Sequence, residues 1–139
     1  WVFFAEWKKN KYEWLSTIDI QDAMKQWEKY DKSFRFLGAS PLDYDSKIVN
    51  GECVWDDLCK FDLQSFIDKG KTKIGVIFNL DPHDKPGSHW VSLIIDTKNK
   101  YIMYFDSNGM FISIVMSTPL LLASGFIAVR VTKSPKQTT

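Results

Sequence analysis

Apolar positions fall at two periods along this chain, and the change from one to the other divides it into helices and strands. Ile20, Ala23, Met24, Trp27 and Tyr30 recur at helical spacing behind Ser16-Thr17-Ile18-Asp19, a hydroxyl followed three residues on by an acid. That is a capping box, and it predicts a helix over about 17–30. Phe34 to Leu37 reads as a short strand, and 38–51 is rich in turn residues. Cys59, Leu63, Phe66 and Ile67 form the stripe of a second helix over 57–69, ended by Gly70. The run Lys73 to Leu80 is almost continuously apolar, as in a strand covered on both faces. His89 to Asp96 and Tyr101 to Asp106 are β-rich, and Thr97-Lys98-Asn99-Lys100 joins them as a hairpin. The expectation is an α+β fold with a central mixed or antiparallel sheet and flanking helices.

The character of the chain changes at Gly109. All 17 acidic residues, six Trp and five Tyr precede it, whereas 110–139 contain no acid and three bases, Arg130, Lys133 and Lys136. The chain therefore divides into 1–109, the folded part, and 110–139, an apolar tail. Residues 109–129 carry no charge over a length that could span a bilayer. Ser113, Ser117, Thr118, Pro119, Ser124 and Gly125 dilute that stretch, so a membrane anchor competes with a buried segment completing the core. A third reading is a coding frame broken after Gly109, which the abrupt loss of acids favours.

Composition narrows the classes. With 139 residues, 45% of them hydrophobic, the chain can hold one core without a metal or disulfide. A net charge of +1 argues against a nucleic-acid partner, which needs a basic face. Lys8, Lys9 and Lys11 lie among aromatics, but Glu6 and Glu13 flank them. Two cysteines do not make a disulfide scaffold, so reduced thiols are expected. Residues 1–11 lack the order of a secretory signal, and the first residue is Trp1 rather than Met. The expectation is an intracellular protein of cytoplasm, nucleus or virion, and a piece of something longer. Cys53, Cys59, His83 and His89 give C-x5-C and H-x5-H, wider than structural zinc pairs usually are, so neither metal nor other cofactor is expected.

The hairpin makes a geometric prediction. A turn centred on Lys98-Asn99 pairs residues whose numbers sum to 197, so Val91 faces Asp106 and His89 becomes a diagonal neighbour of Asp106. A carboxylate there can hold an imidazole in one tautomer and stabilise its protonated form. Asn108 falls directly opposite His89 in the same register, and Cys59 reads as core while Cys53 reads as exposed. The plain alternative is a surface histidine near a strand-end aspartate with no role.

Gly87-Ser88-His89-Trp90-Val91 followed by Tyr104-Phe105-Asp106-Ser107 resembles the core of the superfamily of SUMO-specific and adenovirus-type proteases. Trp14-Leu15 before the capped helix resembles that family's entry motif, and Ile74 to Leu80 its central strand. The resemblance covers about residues 13–109 and is closest to viral and protist members. It implies a papain-like fold and a His-Asp-Cys triad that cleaves after Gly-containing tails. His89 would be the general base and Asp106 its orienter. Trp14 and Trp90 would wall a tunnel admitting only a Gly-rich tail, and the partner would be a ubiquitin-like modifier or a viral polyprotein. The family's nucleophile follows the Asp by some tens of residues, with a Gln shortly before it. After Asp106 this sequence has no Cys, and its only Gln is Gln137. The chain reads as a protease domain truncated or split before its nucleophile and inactive alone, or as a pseudoprotease that binds a tail without cutting it.

Overall fold

The computed structural model describes residues 9–10 and 12–115, with 110–115 as backbone only. The aromatic lead 1–7 and residues 116–139, including most of the uncharged stretch, lie outside the described residues. Helix α1 (Thr17–Tyr30) leads into strand β1 (Phe34–Pro41). Two short helices follow, α2 (Asp56–Cys59) and α3 (Leu63–Asp68). The chain then runs through β2 (Lys73–Asn79), β3 (Trp90–Asp96), β4 (Tyr101–Asp106) and β5 (Met110–Val115). The five strands form one sheet in sequence order, with β1 parallel to β2 and the other pairs antiparallel. This is the expected α+β arrangement with a mixed sheet.

Helix α1 begins where its capping box places it. The Ser16 hydroxyl accepts from the Asp19 backbone N–H at 3.2 Å, and the Asp19 carboxylate accepts from the Ser16 N–H at 2.8 Å. Ile20, the helix's buried residue, packs with Phe34, Phe36 and Ala39 of β1 on one face of the sheet. Burying such a side chain contributes about 2 kcal/mol. Glu28 reaches from α1 to accept the Phe36 backbone N–H at 2.7 Å, occupying a donor on an edge strand.

The opposite face carries the larger core. Ile74, Val76 and Phe78 of β2 and Val91, Leu93 and Ile95 of β3 meet Leu58, Phe61, Leu63 and Phe66. The run 73–80 is thus apolar for the predicted reason: α1 covers one of its faces and α2–α3 the other.

Four expectations change. The strand expected over 34–37 runs on to Pro41, with a register shift between Phe36 and Ala39. There Gly38 adopts φ +121°, and the Trp55 indole lies so close that a Cβ at this position would collide with Cζ2. The helix expected over 57–69 is two helices, because Asp62 caps a new one by accepting from the Gln64 and Ser65 N–H groups. Cys53 and Cys59 are joined as a disulfide rather than reduced, and Cys53 is buried while Cys59 is half-buried, the reverse of the expectation. The antiparallel Lys47–Cys53 bridge draws Cys53 inward and across from the end of α2. Finally, the sheet does not stop at the change in composition: residues 110–115 pair with β4 along its whole length.

Candidate functional site

The β3–β4 turn fixes the register on which the site depends. Asp96, almost fully buried, accepts from both the backbone and the side-chain N–H of Asn99 at 2.8 Å. Those bonds hold its carboxyl below the usual range against the opposing effect of burial. Lys100 takes the left-handed conformation, φ 59°, that closes the turn. The resulting pairs run from Asp96–Tyr101 to Ser92–Phe105, the predicted set. His89 stands just before β3 and Asp106 ends β4, both on the face of the larger core.

The two side chains meet. His89 Nε2 lies 2.6 Å from Asp106 Oδ1, with 23% and 13% of the side chains exposed. Asn108, which the predicted register sets opposite His89, instead donates its backbone N–H to the same Oδ1 at 2.9 Å. The His89 bond, and then the Asn108 bond, hold the Asp106 carboxyl below its ordinary value despite partial burial. Asp106 is therefore an anion at neutral pH, and it accepts the Nε2 proton. Nδ1 makes no hydrogen bond among the described residues and is the ring atom left to receive a proton. Tyr104, two residues before Asp106, buries a hydroxyl with no hydrogen-bond partner among the described residues. Burial first, and Asp106 second, push that phenol up.

Trp90 and the Trp14-Leu15 pair come from opposite ends of the described chain. The Trp90 indole N–H donates to the Leu15 carbonyl at 3.2 Å, and both side chains border the α1-side core. Trp14, next to Leu15, is 74% exposed. The structure thus ties Trp90 to the residue that follows Trp14 and leaves Trp14 largely in solvent.

Both cysteines of the sequence are in the disulfide, so the chain as folded presents no thiol. Lys47 Nζ donates to Cys53 Sγ at 2.9 Å. No cluster of three or more His, Cys, Asp or Glu residues suited to a metal occurs among the described residues.

Two further polar contacts in the 79–88 region had no signal in the sequence. Asp43 Oδ2 lies 2.6 Å from His83 Nδ1, and Asp43 Oδ1 accepts the His83 backbone N–H at 2.8 Å. Asn79 Oδ1 accepts the N–H groups of Asp81 and Ser88. Asp43 and His83 are 40 residues apart, beyond any local pattern, and Asn79 and Ser88 are nine apart across an irregular loop.

Comparison with known proteins relates this chain to a viral thiol protease. It is 39% identical over 108 residues to "Putative thiol protease R355" of Acanthamoeba polyphaga mimivirus. The match covers 78% of this chain and 34% of that protein, so the chain spans about a third of its relative. A family model described as Transmembrane protein 18 matches residues 87–138. The described part of that segment, 87–115, contains β3, β4 and β5. No helix among the described residues is long and apolar enough to cross a membrane. No solved structure matches.

Proposed function

We propose that this chain supplies the histidine–carboxylate half of a cysteine-peptidase centre of the SUMO-protease type. The observation that carries the proposal is the 2.6 Å contact between His89 Nε2 and Asp106 Oδ1, in a chain similar to a viral thiol protease. Asp106, held anionic, fixes the imidazole with its proton on Nε2. Nδ1 then takes the proton of a cysteine thiol, and the imidazolium is stabilised by the carboxylate behind it. The thiolate attacks the carbonyl carbon of the Gly residue, the imidazolium gives its proton to the leaving amine as the C–N bond breaks, and water hydrolyses the resulting thioester.

The thiol itself comes from outside these 139 residues, because both cysteines are bonded to each other. The chain alone is accordingly inactive. Trp90, anchored through Leu15, and the exposed Trp14 supply aromatic walls for an extended, Gly-rich tail of a ubiquitin-like modifier or a viral polyprotein.

The Cys53–Cys59 disulfide, which leaves the chain no free thiol, favours a second reading, a pseudoprotease that holds such a tail without cutting it. One experiment separates the two. The chain is joined in turn to cysteine-containing segments of the thiol protease it matches, and offered a modifier bearing a fluorogenic amide after its terminal Gly-Gly. Hydrolysis that disappears on His89→Gln supports the peptidase. Tail binding without hydrolysis supports the second reading, and absence of both removes each.

A further inference from the structure

His89 follows a loop of irregular structure, 80–88, that contains Pro82, Pro86 and Gly87. Such a loop does not by itself hold an imidazole to a fraction of an ångström, yet the contact with Asp106 requires that. We infer that Asn79, the last residue of β2, is a positioning residue that sets where the His89 imidazole stands. This rests on the reading of His89 and Asp106 as an acid–base pair and adds a residue to it.

Three successive residues around the histidine are tied to Asn79 and its neighbour Leu80. The Ser88 N–H donates to Asn79 Oδ1 at 3.2 Å. The His89 carbonyl accepts from the Leu80 N–H at 3.0 Å. Trp90 is the register partner of Asn79 in the β2–β3 ladder. The same Oδ1 accepts the Asp81 N–H at 3.0 Å, so one oxygen closes both limbs of the loop at its base. Gly87 shows how close the returning limb passes. At φ +97°, a Cβ there would stand 2.6 Å from Asn79 Nδ2. Only glycine lets the chain lie against the amide in this way. Removing the Asn79 side chain leaves the β2–β3 ladder intact but frees Ser88, and with it the root of the imidazole.

The test reads the imidazole directly in the full chain. In proton NMR, the Nε2 proton held between His89 and Asp106 gives a strongly deshielded signal protected from solvent exchange. In Asn79→Ala the signal is expected to broaden away or exchange roughly tenfold faster, the mark of a locally opened contact. Asn79→Asp, which keeps an acceptor oxygen for both N–H groups, is expected to retain it. Ring signals of His83 and the thermal midpoint report whether each variant keeps its fold. An unchanged His89 proton in folded Asn79→Ala overturns the inference. If Asn79→Ala does not fold, Gly87→Ala disturbs the same contact from the other side, and an unaltered signal there overturns it equally. If neither folds, Asn79 is a structural residue and the inference falls. A wild-type chain without the signal overturns the inference together with the pair. Loss in Asn79→Ala with retention in Asn79→Asp supports it whether or not any peptide is hydrolysed. Failure of the peptidase reading is thereby distinguishable from failure of this one.

Discussion

The indole N–H of Trp90 donates to the carbonyl of Leu15 across 75 positions of sequence, at 3.2 Å. That bond fastens the entry to α1 onto the start of β3, one residue from His89. The same indole is the proposed wall for a substrate tail, so its anchoring and its recognition are one feature. Trp14, next to Leu15 in sequence, is largely exposed.

Replacing Trp90 with Phe keeps an aromatic ring and removes the donor. A net hydrogen bond of this kind contributes about 1 kcal/mol. For a domain of this size the thermal midpoint should fall by roughly 4 °C, read by circular dichroism. A midpoint unchanged within error would show that the Leu15 carbonyl finds water at no cost. Trp14→Ala should leave the midpoint unchanged, because the ring is exposed, but should weaken capture of a Gly-Gly-terminated modifier.

In the chain extended with a cysteine-bearing segment, Asp106→Asn should lower kcat on the order of 10³- to 10⁴-fold with little change in KM. The amide can hold the ring in the wrong tautomer and cannot stabilise the imidazolium. Equal activity in Asp106→Asn would assign the orienting role to another group.

The cap of α1 provides a local test. Ser16→Ala removes the acceptor of the Asp19 N–H and one donor to its carboxylate, and should cost about 1 kcal/mol. Denaturant titration should show a lower midpoint with an unchanged slope. The Asp19 carboxylate keeps the Ser16 backbone N–H in this variant, so the loss should stay well short of unfolding.

What the sequence disclosed follows the range of the forces involved. Helix α1 was legible to the residue because a capping box and a 3.6-residue period are local. The His89–Asp106 contact was legible because a short turn propagates its register along two strands. The extension of β1 past Leu37 was not, since its pairing with β2 is parallel and distant, and the reason for Gly38 is an indole 17 positions away. The break between α2 and α3 was hidden because Asp62 reads equally well as a solvent-facing helix residue or as a cap. The disulfide was hidden because two cysteines alone specify nothing about pairing, and β5 because apolar residues without acids look the same in a strand, a buried helix or a membrane span. The roles of His89, Asp106, Trp14 and Trp90 came from motif resemblance, and only their geometry can be read from the fold.

Acid should unfold the protein in a window set by its aspartates. The ammonium of Lys73, with the Ser33 hydroxyl and N–H, holds Asp31 down to about 2. Asp19 and Asp106 are also held low, chiefly by Ser16 and His89, and Asp43 is held low by His83 against the burial of its own carboxyl. Each of these groups binds its proton more weakly folded than unfolded, where a carboxyl titrates near 3.9. Their contribution to stability is therefore fully present above about pH 4 to 5 and is lost as pH falls through the folded values toward 2. The thermal midpoint should be flat with respect to these groups from pH 7 to 5 and fall steeply below 4. Asp96, held low by Asn99 against its burial, belongs with them, and Asp31→Asn should make the acid limb shallower, because it deletes the most displaced of the five. An acid limb of the same steepness in Asp31→Asn would place the linkage elsewhere, with the Asp106–His89 contact the next to vary.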